Sequence, residues 1–266
     1  MEEPPPVQET PPDASQPPAM SLAARLLNVF AIPGEVFEGV KASRFSVGNW
    51  LVPALLLAVV GVFTSVVVVS QASFQQQMRE RIEKQARALE EQVQAGKVQR
   101  VEADRALAFT RAITQPPVLK VLGGAAAAAL SFARVFWWAL ILWLLGRAFL
   151  KLQLDYLKTL EVAGLALMIS VLGGVVTLLL TVNLPQLFTA PSLALGVSDF
   201  DASRKGRLLL GVTNGFSFWL VGVLAAGLAR LAGVPFLRAA WFVFAAWVIQ
   251  ESCLVLLGGA LGQFVL

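Results

Sequence analysis

Arg134 and Glu251 lie near the middle of two long apolar runs, LSFARVFWWALILW and FAAWVIQESCLVLL, and Gln250 precedes the glutamate. An ionised side chain at the centre of a membrane span costs about 2.5–3.5 kcal/mol on insertion scales, so it is kept where it is paired or wetted. Opposite sign and similar depth make Arg134 and Glu251 expected partners across two spans. Two chemistries are open to such a pair: an interhelical lock that fixes helix arrangement, or a step on a proton or substrate path. A path would be marked by several acids along one helix face, and no span carries them.

Little else in the chain can do bond-making chemistry. With no histidine, neither a Ser-His-Asp triad nor a histidine-ligated zinc can form. The single cysteine, Cys253, excludes an intrachain disulfide and a cysteine metal cluster. Asp199 and Asp201 come close in sequence to Arg204 and Lys205, but two carboxylates are too few for a calcium cage, and the stretch reads as a solvated loop. The net charge of +4 comes with no basic run interleaved with aromatics, so nucleic acid is not an expected partner. The expectation is a protein that is not an enzyme and carries no cofactor and no metal.

The elements that position these residues follow from hydropathy. Hydrophobic residues make up 57% of the chain and charged ones 14%, against about 25% charged in an average soluble domain. The apolar residues gather in five blocks, at about 50–70, 121–146, 160–183, 208–230 and 239–262. A hydrocarbon core of roughly 30 Å needs about 20 helical residues, so each block is long enough to cross. The third block has no internal proline, and no two blocks look like inverted copies, so the broken-helix signature of a secondary transporter is missing. Glycines and alanines crowd the second, third and fifth blocks, where they allow close helix approach.

Outside the blocks, residues 1–20 are rich in proline and polar side chains and read as a disordered tail. That start is acidic and broken by prolines, unlike a secretory signal, so the first span is expected to serve as a permanent anchor. From Ser21 to Lys41, apolar residues recur at helical spacing, with Ser21 able to cap the start and Pro33 placed to open a new helix. This predicts two short interfacial helices over 21–42 meeting at Ile32. Residues 71–115 are the one substantial polar insertion. Phe74, Met78, Ile82, Leu89 and Val93 share one helix face among charged residues, with Glu80/Lys84 and Glu83/Arg87 at ion-pair spacing. After a break at Gly96 a second helical run, about 101–113, completes a hairpin. Its apolar stripe is expected to seat the two helices on each other or on the membrane surface, or to offer a face to another protein.

Three stretches, spread over roughly 21–262, resemble the Yip domain family of five-span membrane proteins, whose eukaryotic members associate with Rab-type GTPases. The first is RLLNVFAIPGEVFEGVKAS followed by NWLVPALLL, with Phe30, Pro33, Phe37, Trp50 and Pro53 at family-like positions. The second is VTNGFSFWLVGVLAAGLARLAG, similar to the family's fourth span, with Phe216, Trp219 and Gly227. The third, FLRAAWFVFAAWVI, resembles the basic turn and aromatic start of the last span, and the insertion between spans one and two resembles that of bacterial members. The resemblance implies a bacterial-type protein of the cytoplasmic membrane with its N-terminus inside, acting as a scaffold or accessory subunit; some bacterial relatives are linked to ABC-type exporters.

The expected fold class is therefore all-α: a polytopic integral membrane helix bundle with five transmembrane helices, an N-terminal interfacial helix pair and a polar helical hairpin between spans one and two. Its partners would be the lipid bilayer and another membrane protein or itself. The alternative function is a small transporter or channel using Arg134 and Glu251, and a third is membrane shaping by the amphipathic segment from Leu22 to Val40.

Overall fold

A computed structural model describes residues 20–151, 153–183 and 214–264, the last ten as backbone alone. The Pro-rich tail, the Asp199/Asp201 loop and the first residues of the expected fourth block lie outside the described residues. Those described are all-helical, with no strand. In chain order the helices are α1 (Leu22–Asn28), α2 (Pro33–Ala42), α3 (Gly48–Ser70), α4 (Ala72–Gln94), α5 (Arg100–Ile113), α6 (Pro116–Leu144), α7 (Tyr156–Ala166), α8 (Met168–Asn183), α9 (Gly215–Ala232) and α10 (Phe236–Phe264).

Among the described residues, five spans are long and apolar enough to cross a membrane: Gly48–Ser70, Pro116–Phe149, Tyr156–Asn183, Gly215–Ala232 and Phe236–Leu254. The second runs through α6 into one wide turn at Leu145–Phe149, and it begins at Pro116, five residues before the hydropathy block does. Proline at the first helical turn loses no hydrogen bond, so Pro116 opens the span and does not merely close the hairpin. The third span is α7 and α8 joined at Leu167. Leu167 keeps right-handed helical geometry, its N–H donating to Ala163 and Gly164 and its carbonyl accepting from Val171, so the span bends without breaking.

α3 packs along α6 and α8, α7 fills the space beside α3 and α6, and α10 lies mainly on α9. Close approach depends on missing side chains. A Cβ on Gly164 would collide with the Trp50 backbone, and one on Gly61 would come within 3.1 Å of the Ala127 Cβ. Large apolar residues such as Leu55, Val59 and Phe63 face outward, as they do where lipid is the solvent.

The N-terminal helices are bound into this bundle. Ser21 accepts a hydrogen bond from the Ala24 N–H at 3.2 Å, and α2 starts at Pro33 after the turn at Ile32. Val36, Phe37 and Val40 of α2 are fully buried, with α2 laid against α9 and α7. Much of the stripe between Leu22 and Val40 therefore rests on protein, which leaves less apolar face for membrane shaping to use. Among its large apolar residues Leu27 and Ile32 remain exposed. Phe37 is the largest side chain in that contact, so Phe37→Ala is expected to cost about 3–5 kcal/mol, measured as a lower unfolding temperature of the purified protein in detergent.

In the hairpin, Gly96 at φ +68° makes the reversal between α4 and α5, a backbone angle glycine adopts freely. α4 buries no residue and α5 only Ala103; the pair holds to itself, to the end of α3 and to the start of α6. The expected Glu80/Lys84 and Glu83/Arg87 pairs do not form within 4.0 Å. Glu80 accepts instead from Gln76 at 3.1 Å, and Arg100 to Glu90 at 2.8 Å closes the tip of the hairpin. On an exposed helix such pairs contribute a few tenths of a kcal/mol, too little to hold long side chains against water.

Candidate functional site

Among the described residues, three polar places stand out against the apolar spans. The most deeply built is at the start of span three, centred on Glu161, which is fully buried. Its Oε1 accepts from the Ser46 N–H at 2.9 Å and from Asn49 Nδ2 at 2.7 Å, and its Oε2 from Lys158 Nζ at 2.8 Å. Lys158 sits one turn earlier on α7, and its ammonium also donates to the carbonyls of Val40 at 2.9 Å and Ser43 at 2.7 Å. Those carbonyls end α2, where a cation also meets the negative pole of the helix. All three ammonium protons are used, so the Lys158–Glu161 pair ties the end of α2, the elbow at 43–47 and the start of α3 to α7. Saturated in this way, it has no free donor for a substrate and acts as a lock.

Proline sharpens the same junction. Pro53 is buried inside α3 and has no N–H, which frees the carbonyl of Asn49 four residues earlier. That oxygen lies 2.8 Å from where a Gly164 Cβ would stand, so α3 and α7 cross backbone to backbone. Lys158 and Glu161 were readable in sequence as an i,i+3 pair, with Glu161 the one acidic residue within the third apolar block. Sequence reasoning passes over them because the pair sits where any span meets water and is ordinarily solvated.

The family-like positions are spread along the packing of the bundle rather than gathered at this junction. Phe30 meets Trp219 edge-on at 5.9 Å, Trp219 stacks near Phe216 at 6.4 Å, and Phe216 lies against Gly173 of span three. Gly227 makes room for Val162 and for the Phe37 ring, and Trp50 packs on Phe136 at 5.5 Å. These residues assemble the fold; none of them touches a cluster of titratable groups that could perform a reaction.

The second place is a groove of about 640 Å³ where α2 meets the turn between α9 and α10, lined by Glu38, Lys41 and Arg230 over Ala226, Ala229 and Phe236. Lys41 Nζ donates to the Arg230 carbonyl at 3.0 Å, and Arg230 lies 3.7 Å from Glu38. This gathers Lys41, Lys158 and Arg230 at one end of the bundle. The hairpin leaves from the other end, where Gln71 Nε2 donates to the Thr181 carbonyl at the close of span three, at 2.6 Å.

The third place holds the two charges expected to pair. Arg134 and Glu251 form no ion pair within 4.0 Å among the described residues, although the Glu251 charge attracts Arg134 at longer range. Trp137 Nε1 donates instead to Gln250 Oε1 at 2.6 Å, and Gln250 Nε2 reaches Glu251 at 3.5 Å. The reason lies in the bundle: α10 rests on α9 and meets α6 at few points, so the two charges stand on neighbouring helices without touching.

The hairpin stripe is not free surface. Phe74, Met78, Ile82, Leu89 and Val93 are each half-buried. The first three line a small groove of about 140 Å³ with Val69, Thr114, Pro116 and Leu119. The outward apolar residues of the hairpin are on α5: Val101 and Phe109, each 65% exposed, and Ile113.

A family model described as the Yip1 domain matches residues 27–257. No curated protein and no solved structure gives a significant match.

Proposed function

This chain belongs to the Yip1 domain family, and on that footing we propose that it is a non-enzymatic scaffold or accessory subunit of a membrane complex. The carrying observation is the hairpin: α4 is 23 residues long, about 35 Å of helix, and neither helix of the pair is wrapped into the bundle. A multi-pass membrane protein that supports such an arm on a locked bundle is suited to hold something beside it. The partner in this reading is another membrane protein, with an ABC-type exporter the candidate that the family resemblance offers. The protein would sit in a bacterial cytoplasmic membrane, with the Lys41, Lys158 and Arg230 end inside, the side that collects lysine and arginine in short loops.

The surface offered to the partner is the α5 ridge of Val101 and Phe109, because the α4 stripe is already half-buried. The test is affinity purification of the tagged full chain from its native membranes, beside the variant carrying Val101→Lys and Phe109→Lys. A stoichiometric partner is expected with the parent and at least tenfold less with the variant. The folded yield should be unchanged, since exposed substitutions ordinarily stay within about 0.5 kcal/mol. Equal recovery of that partner by both, or recovery of the chain alone, would overturn the reading. Turnover of a lipid or peptide by the purified protein, lost on Glu251→Gln, would overturn its non-enzymatic part.

A further inference from the structure

Arg134 is exposed on α6, near the middle of the Pro116–Phe149 span, and its side chain makes no hydrogen bond and no ion pair within 4.0 Å among the described residues. On the next helix Glu251 is half-buried, and its one hydrogen bond is the long contact from Gln250. The bond from Trp137 to Gln250 fixes the relative depth of the two helices. Arg134 lies three residues from Trp137 and Glu251 one from Gln250, so at about 1.5 Å per residue the two charges are within a helical turn of each other in depth. A cation and an anion therefore share one flank of the bundle, both inside the apolar layer, each acting on the other at a distance but with no direct ion pair within one chain.

Such a flank is disfavoured in hydrocarbon, and what covers it must bring charge of both signs at the same depth. Lipid headgroups lie at the interface, about 15 Å from the centre of a roughly 30 Å core, and do not reach it. A second copy of the chain does. A two-fold axis along the membrane normal sets residues of equal depth face to face, so each copy's arginine meets the other's glutamate and the patch satisfies itself with no third component. The rim suits contact between helices: Trp137 on α6 and Val248 and Leu254 on α10, each about a turn from one of the charges, are large, apolar and exposed. We propose that α6 and α10 form a two-fold interface between copies of this chain, in which Arg134 of each copy pairs with Glu251 of the other. This does not rest on the hairpin reading and can stand or fall without it.

The test uses two differently tagged full-length copies, co-expressed and extracted in mild detergent, with co-purification as the readout. Parent copies are expected to co-purify. Arg134→Glu in both copies, or Glu251→Arg in both, should lower co-purification at least tenfold, because each variant sets like charges across the interface. Mixing one copy of each variant should restore it, since both contacts then join opposite charges while each chain internally carries two like charges. An intrachain pair gives the reverse result: the mixture stays as low as either variant, and only the exchange of both residues within one chain recovers. That outcome, or parent copies that do not co-purify, would overturn the proposal. If both single variants fail to fold and the mixture does not rescue them, a cross-link decides. With Cys253→Ser in both copies, one copy carrying Arg134→Cys and the other Glu251→Cys should join into a dimer on oxidation in the membrane, since the proposal sets those two positions in contact. Monomers alone would overturn the proposal.

Discussion

Glu161→Ala lowers the stability of the folded protein by about 3–5 kcal/mol, the range found when one member of a buried ion pair is removed and the other charge is left uncompensated. Lys158 would lose the carboxylate, keeping only the carbonyls of Val40 and Ser43, and the Ser46 N–H and Asn49 amide would lose their acceptor. The effect should be visible as loss of monodisperse protein on size exclusion and as a lower unfolding temperature in detergent. Changing both charges, Lys158→Met with Glu161→Gln, should destabilise less than Glu161→Ala, because no charge is stranded and the glutamine oxygen can still accept from Ser46 and Asn49. A double variant as unstable as the sum of its singles would show that the two side chains act independently and that there is no lock.

The second large effect is steric and comes from the smallest possible change. Gly164→Ala sets a methyl group into the Trp50 backbone and against the Asn49 carbonyl, and neither is the flexible end of a side chain. Helix α7 must move away from α3, at the upper end of the roughly 1–3 kcal/mol typical of overpacking. The same substitution at Gly39 of α2 meets nothing within 4 Å. There alanine should stabilise by about 0.5–1 kcal/mol, since glycine weakens a helix interior. Unfolding temperatures of the two variants against the parent should shift in opposite directions. A tolerated Gly164→Ala would mean that α3 and α7 do not cross as closely as their backbones are placed.

Both predictions rest on contacts between segments more than a hundred residues apart, and that separates what was legible in the sequence from what was not. Hydropathy and length are local properties, so five membrane-crossing helices, the all-α class and a polar helical insertion could be read from the residues in order. So could the Ser21 cap, the restart at Pro33 and the reversal at Gly96, each of which needs a residue type and its nearest neighbours. Family membership was legible for a related reason: Phe30, Pro33, Phe37, Trp50, Pro53, Phe216, Trp219 and Gly227 keep their spacing along the chain whether or not their contacts are known.

Tertiary structure alone decided which polar groups meet. By sequence, Arg134 and Glu251 were the conspicuous charges and Lys158 and Glu161 ordinary flanking residues; in the bundle the first two interact only at a distance, while the second two form a close, hydrogen-bonded pair. Depth in a span sets the cost of a charge, but the lateral placement of helices sets its partner, and α10 settles on α9 with few contacts to α6. The N-terminal stripe met the same limit. Its periodicity announced an apolar face without saying whether lipid or protein would cover it, and the buried Val36, Phe37 and Val40 show that α9 and α7 cover much of it. An amphipathic pattern is a property of one helix, whereas its partner depends on which complementary surface the rest of the chain brings within reach.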